Sequence, residues 1–140
     1  MTRTRWDAYL AGDFTIPANE AFGFEVVPTD TPADGISFRW KVPERFVNSA
    51  GNLQGGVLAA FIDATLGATC AAHLPKEMYP ALAEMKVSFL RPVRAGTTVT
   101  CTGRVLKPGK TLLFVEAEVT DEDGTLLAKV SGTEVAAPAP

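Results

Sequence analysis

Between Val57 and Ala72 the only charged side chain is Asp63, in a run otherwise made of small and apolar residues. A helix that is apolar on every side is normally buried on every side, so a carboxylate in its middle must be neutralised, hydrogen-bonded or put to use. Two readings follow. Asp63 is either a core acid held by hydroxyls and backbone amides, or a base or nucleophile aimed at an electrophilic carbon. Gly55 and Gly56 stand where this helix begins, and a helix start presents unpaired N–H groups and the positive end of the dipole. Without β-carbons, they allow a carbonyl oxygen to approach closely and to be held as it becomes an oxyanion.

Gly55 and Asp63 lie eight positions apart, which along a helix is about 12 Å of rise and roughly 80° of rotation. One small substrate group cannot touch both within a single chain. If they cooperate, the amide comes from one subunit and the carboxylate from another, with two copies of the helix antiparallel about a two-fold axis. A homodimer of that kind holds two equivalent sites.

Asn48, Gly51, Gln54, Gly55, Gly56 and Asp63 together resemble a family signature. It is that of the hotdog-fold thioesterases of the phenylacetate-pathway and 4-hydroxybenzoyl-CoA type, N-x-x-G-x-x-H-G-G followed by a helix carrying Asp or Glu. The similarity extends from the strand near Phe22 to the last strand near Val135. It implies hydrolysis of an acyl-CoA thioester, with the Gly55 N–H polarising the carbonyl. Asp63 of the partner subunit would activate water or form a transient mixed anhydride. No cofactor or metal is implied. Asn48 and Gln54 would orient water, carboxylate or thioester, or else cap the loop. Gln54 stands where the family commonly has His, and Leu82 stands where relatives often have Ser or Thr. These departures keep a second reading open, a non-catalytic acyl-CoA or acyl-ligand binding protein on the same fold; a purely structural oligomerisation module is a third. The acyl pocket would be lined by Gly56, Phe61, Leu58 and strand residues including Leu82. Arg91, Arg94, Arg104, Lys107 and Lys110 would either meet the phosphates of coenzyme A or form a solvated rim.

Other chemistries find little support. His73, the only histidine, falls at the helix C-terminus, where the dipole accounts for it. Its position argues against a Ser-His-Asp set and against the dehydratases and hydratases of this fold. Cys70 and Cys101 have no C-x-x-C spacing and read as reduced core residues. A formal net charge of −3, with no dense basic block, argues against nucleic-acid binding. Nothing near Met1 reads as a secretory signal and the long helix carries Asp63, so neither export nor a membrane span is expected; the cytoplasm is.

The elements that must position these groups follow from pattern. With 46% hydrophobic and 21% charged residues over 140 positions, residues 1–135 read as one globular domain and 136–140 as a disordered tail. Thr4 to Ala11 reads as a short helix, Pro17 and Asn19 as loop, Phe22 to Val27 and Ile36 to Val42 as strands, and Leu53 to Ala72 as the long helix. Ala81 to Leu90 returns as a strand, with Ala83, Met85, Val87 and Phe89 on one face. Three further strands, Thr97 to Lys107, Thr111 to Thr120 and Thr125 to Val135, form a meander. Lys107 to Lys110 has the Pro-Gly order of a type II turn, and Asp121 to Gly124 makes the other hairpin. The class is α+β: a curved antiparallel sheet of about six strands wrapped around one long helix.

Overall fold

A computed structural model describes residues 2–140. Its elements are α1 (Arg5–Leu10), α2 (Pro17–Phe22), β1 (Glu25–Val27), β2 (Ile36–Lys41), α3 (Gly55–Ala71), β3 (Met78–Phe89), β4 (Thr98–Pro108), β5 (Leu112–Thr120) and β6 (Leu126–Pro138). The six strands form one antiparallel sheet in the order β1-β2-β4-β5-β6-β3. β2 and β3 are consecutive strands but have three strands between them in the sheet, so α3 between them must cross its concave face. This is the hotdog arrangement.

Strand alternation builds the bed on which α3 rests. Ile36, Phe38 and Trp40 of β2, Val99 and Cys101 of β4, Leu113, Val115, Ala117 and Val119 of β5, and Ala128 and Val130 of β6 are all buried. The helix answers with Leu58, Phe61, Ile62, Thr65, Leu66 and Thr69. Burial of each large apolar side chain here contributes about 2 kcal/mol. The Thr65 and Thr69 hydroxyls are satisfied locally, donating to the carbonyls of Phe61 at 3.2 Å and Thr65 at 2.7 Å. Close approach is possible because β4 carries Gly103 under Thr69, where a β-carbon would overlap the hydroxyl, and β6 carries Gly132 under Leu66.

At the amino end, Thr4 and Asp7 form a reciprocal capping box that starts α1, and the amide and hydroxyl of Thr4 hold the Asp7 carboxyl below its ordinary pKa. Trp6 then docks edge-on to Phe38, with ring centroids 6.3 Å apart.

Several expected boundaries move. Pro17 and Asn19, expected in a loop, lie in α2, because Pro17 opens the helix and Gly23, at φ 79°, closes it. Phe22 is thereby removed from β1. The long helix starts at Gly55, not Leu53, since the Leu53 N–H is taken by the Val93 carbonyl at 2.7 Å. A bulge between Leu82 and Glu84 takes Ala83 out of the expected single face of β3: Ala83 is exposed, Met85 and Val87 are half-buried, and Phe89 on their face is exposed where the strand ends. Gly109 does not take the positive φ of a type II turn. Its N–H instead bonds the Leu112 carbonyl at 3.0 Å. Finally β6 continues to Pro138, with Ala136, Ala137 and Pro138 paired to Pro80, Tyr79 and Met78. These residues, expected in a disordered tail, extend the sheet instead.

Candidate active site

The helix that reads as buried on every side is covered by its own chain on only one. Away from the sheet, Gly56 and Asp63 are exposed and Ala60, Ala64 and Gly67 half-buried, a stripe at helical spacing with one charge in it. Asp63 sits in the wall of a cavity of about 440 Å³ between this stripe and the amino-terminal helices. Trp6, Tyr9, Phe14, Phe22 and Phe24 give the cavity an aromatic wall opposite the small residues of α3. Among the described residues no donor hydrogen-bonds the Asp63 carboxylate, which removes the reading of a core acid held by hydroxyls. Its apolar surroundings raise its pKa from the ordinary 3.8 by desolvation.

The helix start is a second, separate place. Gln54 is the N-cap, at φ −59° and ψ 128°, and its side chain makes no capping hydrogen bond. Its carbonyl accepts from Val57 at 2.9 Å and Leu58 at 3.1 Å, and the Gly55 and Gly56 N–H groups have no acceptor among the described residues. Gly55 opens onto a groove shared with Asn52, Leu58, Phe89 and Arg91. A β-carbon on Gly55 would meet the Phe89 ring at 3.4 Å. No residue lines both this groove and the Asp63 cavity, as the helical spacing of the two groups requires.

The remaining expected site residues divide. The Asn48 side-chain oxygen accepts from the Ala50 amide at 2.9 Å and the Asn52 amide at 3.2 Å, so it caps the loop. Gly51 takes φ 78° in that loop, and Arg94 braces it by donating to the Ala50 carbonyl at 3.1 Å. Phe61, expected to line the acyl pocket, is wholly buried between Trp40 and Phe24, with ring centroids 5.7 Å and 5.1 Å away. It belongs to the core because its helical position faces the sheet. Leu82 is 37% exposed on the edge strand β3 and lines neither depression. Arg91 borders the Gly55 groove while donating to the Leu126 carbonyl at 2.8 Å, and Arg104 is paired with Glu116. Cys70 and Cys101 are free and buried, and burial pushes both thiols up to about 12.

Two features escaped sequence reasoning. One is the aromatic cavity, since Phe14, Phe22 and Phe24 lay in stretches read as loop and strand. The other is Glu134, 1% exposed on β6 with neither carboxyl oxygen hydrogen-bonded. Parity could have found it: Val130, Gly132 and Glu134 alternate onto the inward face. Burial and the charge of Asp63 push its carboxyl up to about 7.

A sequence profile of the thioesterase superfamily matches residues 50–128, more than half of the chain, including α3 and the strands around it. The chain belongs to the thioesterase superfamily. A Saccharolobus solfataricus protein that bears an esterase name is 38% identical over 90 residues, 64% of this chain and 63% of that protein, so the match spans under two thirds of its length. Mouse acyl-coenzyme A thioesterase 13 is 26% identical over 118 residues, 83% of each chain. Among solved structures, a phenylacetic acid degradation-related protein of Ralstonia eutropha JMP134 superposes with a TM-score of 0.84 at 26% identity, covering 94% of this chain and 98% of that one. Among the described residues no helix is long and apolar enough to cross a membrane.

Proposed function

We propose that this thioesterase hydrolyses an acyl-CoA as a homodimer or dimer of dimers, each site built from the Gly55 amide of one subunit and the Asp63 carboxylate of the other. One observation carries the reading: the two groups open onto separate depressions of a single chain, Asp63 in the small-residue stripe that the sheet leaves uncovered and Gly55 at the start of α3 beside the Phe89 ring. A second α3, antiparallel across the small-residue stripe, would bring one chain's helix start to the other's carboxylate. The mouse relative's name supports coenzyme A as the thiol component.

In this arrangement the thioester carbonyl oxygen points at the Gly55 N–H, whose hydrogen bond and helix dipole stabilise the oxyanion. Asp63, made more basic by its apolar setting, takes a proton from water as the water oxygen bonds to the carbonyl carbon. Collapse of the oxyanion breaks the carbon–sulfur bond, and the proton goes to the departing thiolate; free acid and thiol result. Gln54, exposed beside the groove, positions the incoming thioester.

The test is subunit mixing. With a panel of acyl-CoAs, Asp63→Asn and Gly55→Pro are each expected to lower thiol release by at least about 10²-fold. Gly55→Pro removes the N–H while keeping the helix start, because proline suits the first position of a helix and Gln54 already has the extended backbone that proline favours in its predecessor; its β-carbon makes only van der Waals contact with Phe89, at 3.4 Å. Mixed dimers of the two variants carry one intact site and one doubly defective site, so activity returns to about half per mixed dimer. If mixing restores nothing while each variant remains folded and dimeric, the shared site is wrong.

A further inference from the structure

Glu134 is the only carboxyl that the described residues bury completely. Neither oxygen has a partner and none of the ion pairs includes it. Taking such a group from water without compensation costs several kcal/mol, so its place in the fold is informative. On β6 it stands in register with Leu82 of β3 and Leu113 of β5. By strand alternation Pro80 shares the Leu82 face of β3, and Pro80 is part of the wall of the Asp63 cavity. The titratable groups that face Glu134 are Asp63, whose charge reaches it, and Cys70, both on α3. The ladder partners from β3 and β5 are leucines, and no cation offsets it.

We propose that Glu134 is a buried second acid of the Asp63 site, and that loss of its proton sets the upper pH limit of thioester hydrolysis. This rests on the assignment of Asp63 made above. Hydrolysis places negative charge on the carbonyl oxygen beside α3. While Glu134 is neutral, Asp63 is the one negative group there. Once Glu134 ionises, a second negative charge stands in low dielectric near the first, and oxyanion formation is opposed. The two acids ionise in order: exposed Asp63 first, then Glu134 against the charge already present, at about 7. The productive state is the singly ionised pair. Glu134 acts by its charge alone and touches no substrate, so it is not a catalytic residue.

Carboxyl-carbon NMR titration of the whole protein, alongside pH–rate profiles, tests this in wild type, Glu134→Gln and Asp63→Asn. One Glu resonance is expected to titrate near 7, to vanish in Glu134→Gln and to move to lower pH in Asp63→Asn. Wild-type kcat/KM is expected to fall above that midpoint, by about tenfold one pH unit beyond it. Glu134→Gln should lose this alkaline limb and keep its acid limb. An ordinary carboxylate midpoint for Glu134, a midpoint unmoved by Asp63→Asn, or an unchanged alkaline limb in Glu134→Gln would each overturn the proposal. Full hydrolysis by Asp63→Asn would instead overturn the role of Asp63, leaving the NMR coupling to be judged separately. The titrations of wild type and Asp63→Asn do not depend on Glu134→Gln folding.

Discussion

A buried acid without a partner must show itself in the pH dependence of stability, and Glu134 allows the size to be worked out. Its carboxyl titrates near 4.5 in the unfolded chain and near 7 in the fold. A raised folded-state pKa means the native state holds the proton more tightly. The stabilisation is therefore complete below pH 4.5, declines as pH rises, and is gone above about 7. The gap corresponds to about 3 kcal/mol, roughly 10 °C in Tm for a chain of this size. Glu134→Gln keeps the shape and removes the titration. Urea unfolding from pH 4 to 9 at fixed protein concentration should show wild type losing about 3 kcal/mol relative to the variant as pH rises. The buried amide of the variant carries its own cost, but that cost is the same at every pH. Parallel stability curves for the two proteins would refute the reasoning, because they would mean that Glu134 is solvated or paired.

Other perturbations probe the parts separately. Gly103→Ala places a methyl against the Thr69 hydroxyl and should destabilise by about 1–3 kcal/mol in urea unfolding, with Thr69→Ala in the same chain restoring part of the loss. Phe61→Ala, which empties the space between Trp40 and Phe24, should cost about 3–5 kcal/mol; a change in acyl preference with stability intact would contradict its core assignment. Native Cys70 and Cys101, both pushed up to about 12, should stay unmodified by a thiol reagent at pH 8 until the protein is denatured. Fast native-state labelling would show that the helix–sheet interface opens.

Much of the fold could be read in advance because its signals are local. Strand alternation, turn residues and the length of the apolar run each involve neighbours in sequence, and they place six strands and one long helix in the observed order. The boundaries that moved did so through specific bonds. Val93 claims the Leu53 amide, Gly23 closes α2, and the bulge after Leu82 takes Ala83 out of the ladder.

Asp63 and the glycine pair at Gly55 stand out in the sequence because one charge in an apolar run and two glycines before it are unusual wherever they occur. Their separation along a helix is likewise a matter of backbone geometry, so the incompatibility of the two groups within one chain needed no coordinates. Which side of α3 stays uncovered, that Phe61 faces the sheet and Asp63 the cavity, and that Glu134 lies sealed beneath the helix were decided by tertiary structure alone. Those outcomes depend on which strands become neighbours when the sheet closes around α3. That pairing joins residues more than fifty positions apart, such as Leu82 and Glu134, whose mutual position no local pattern encodes.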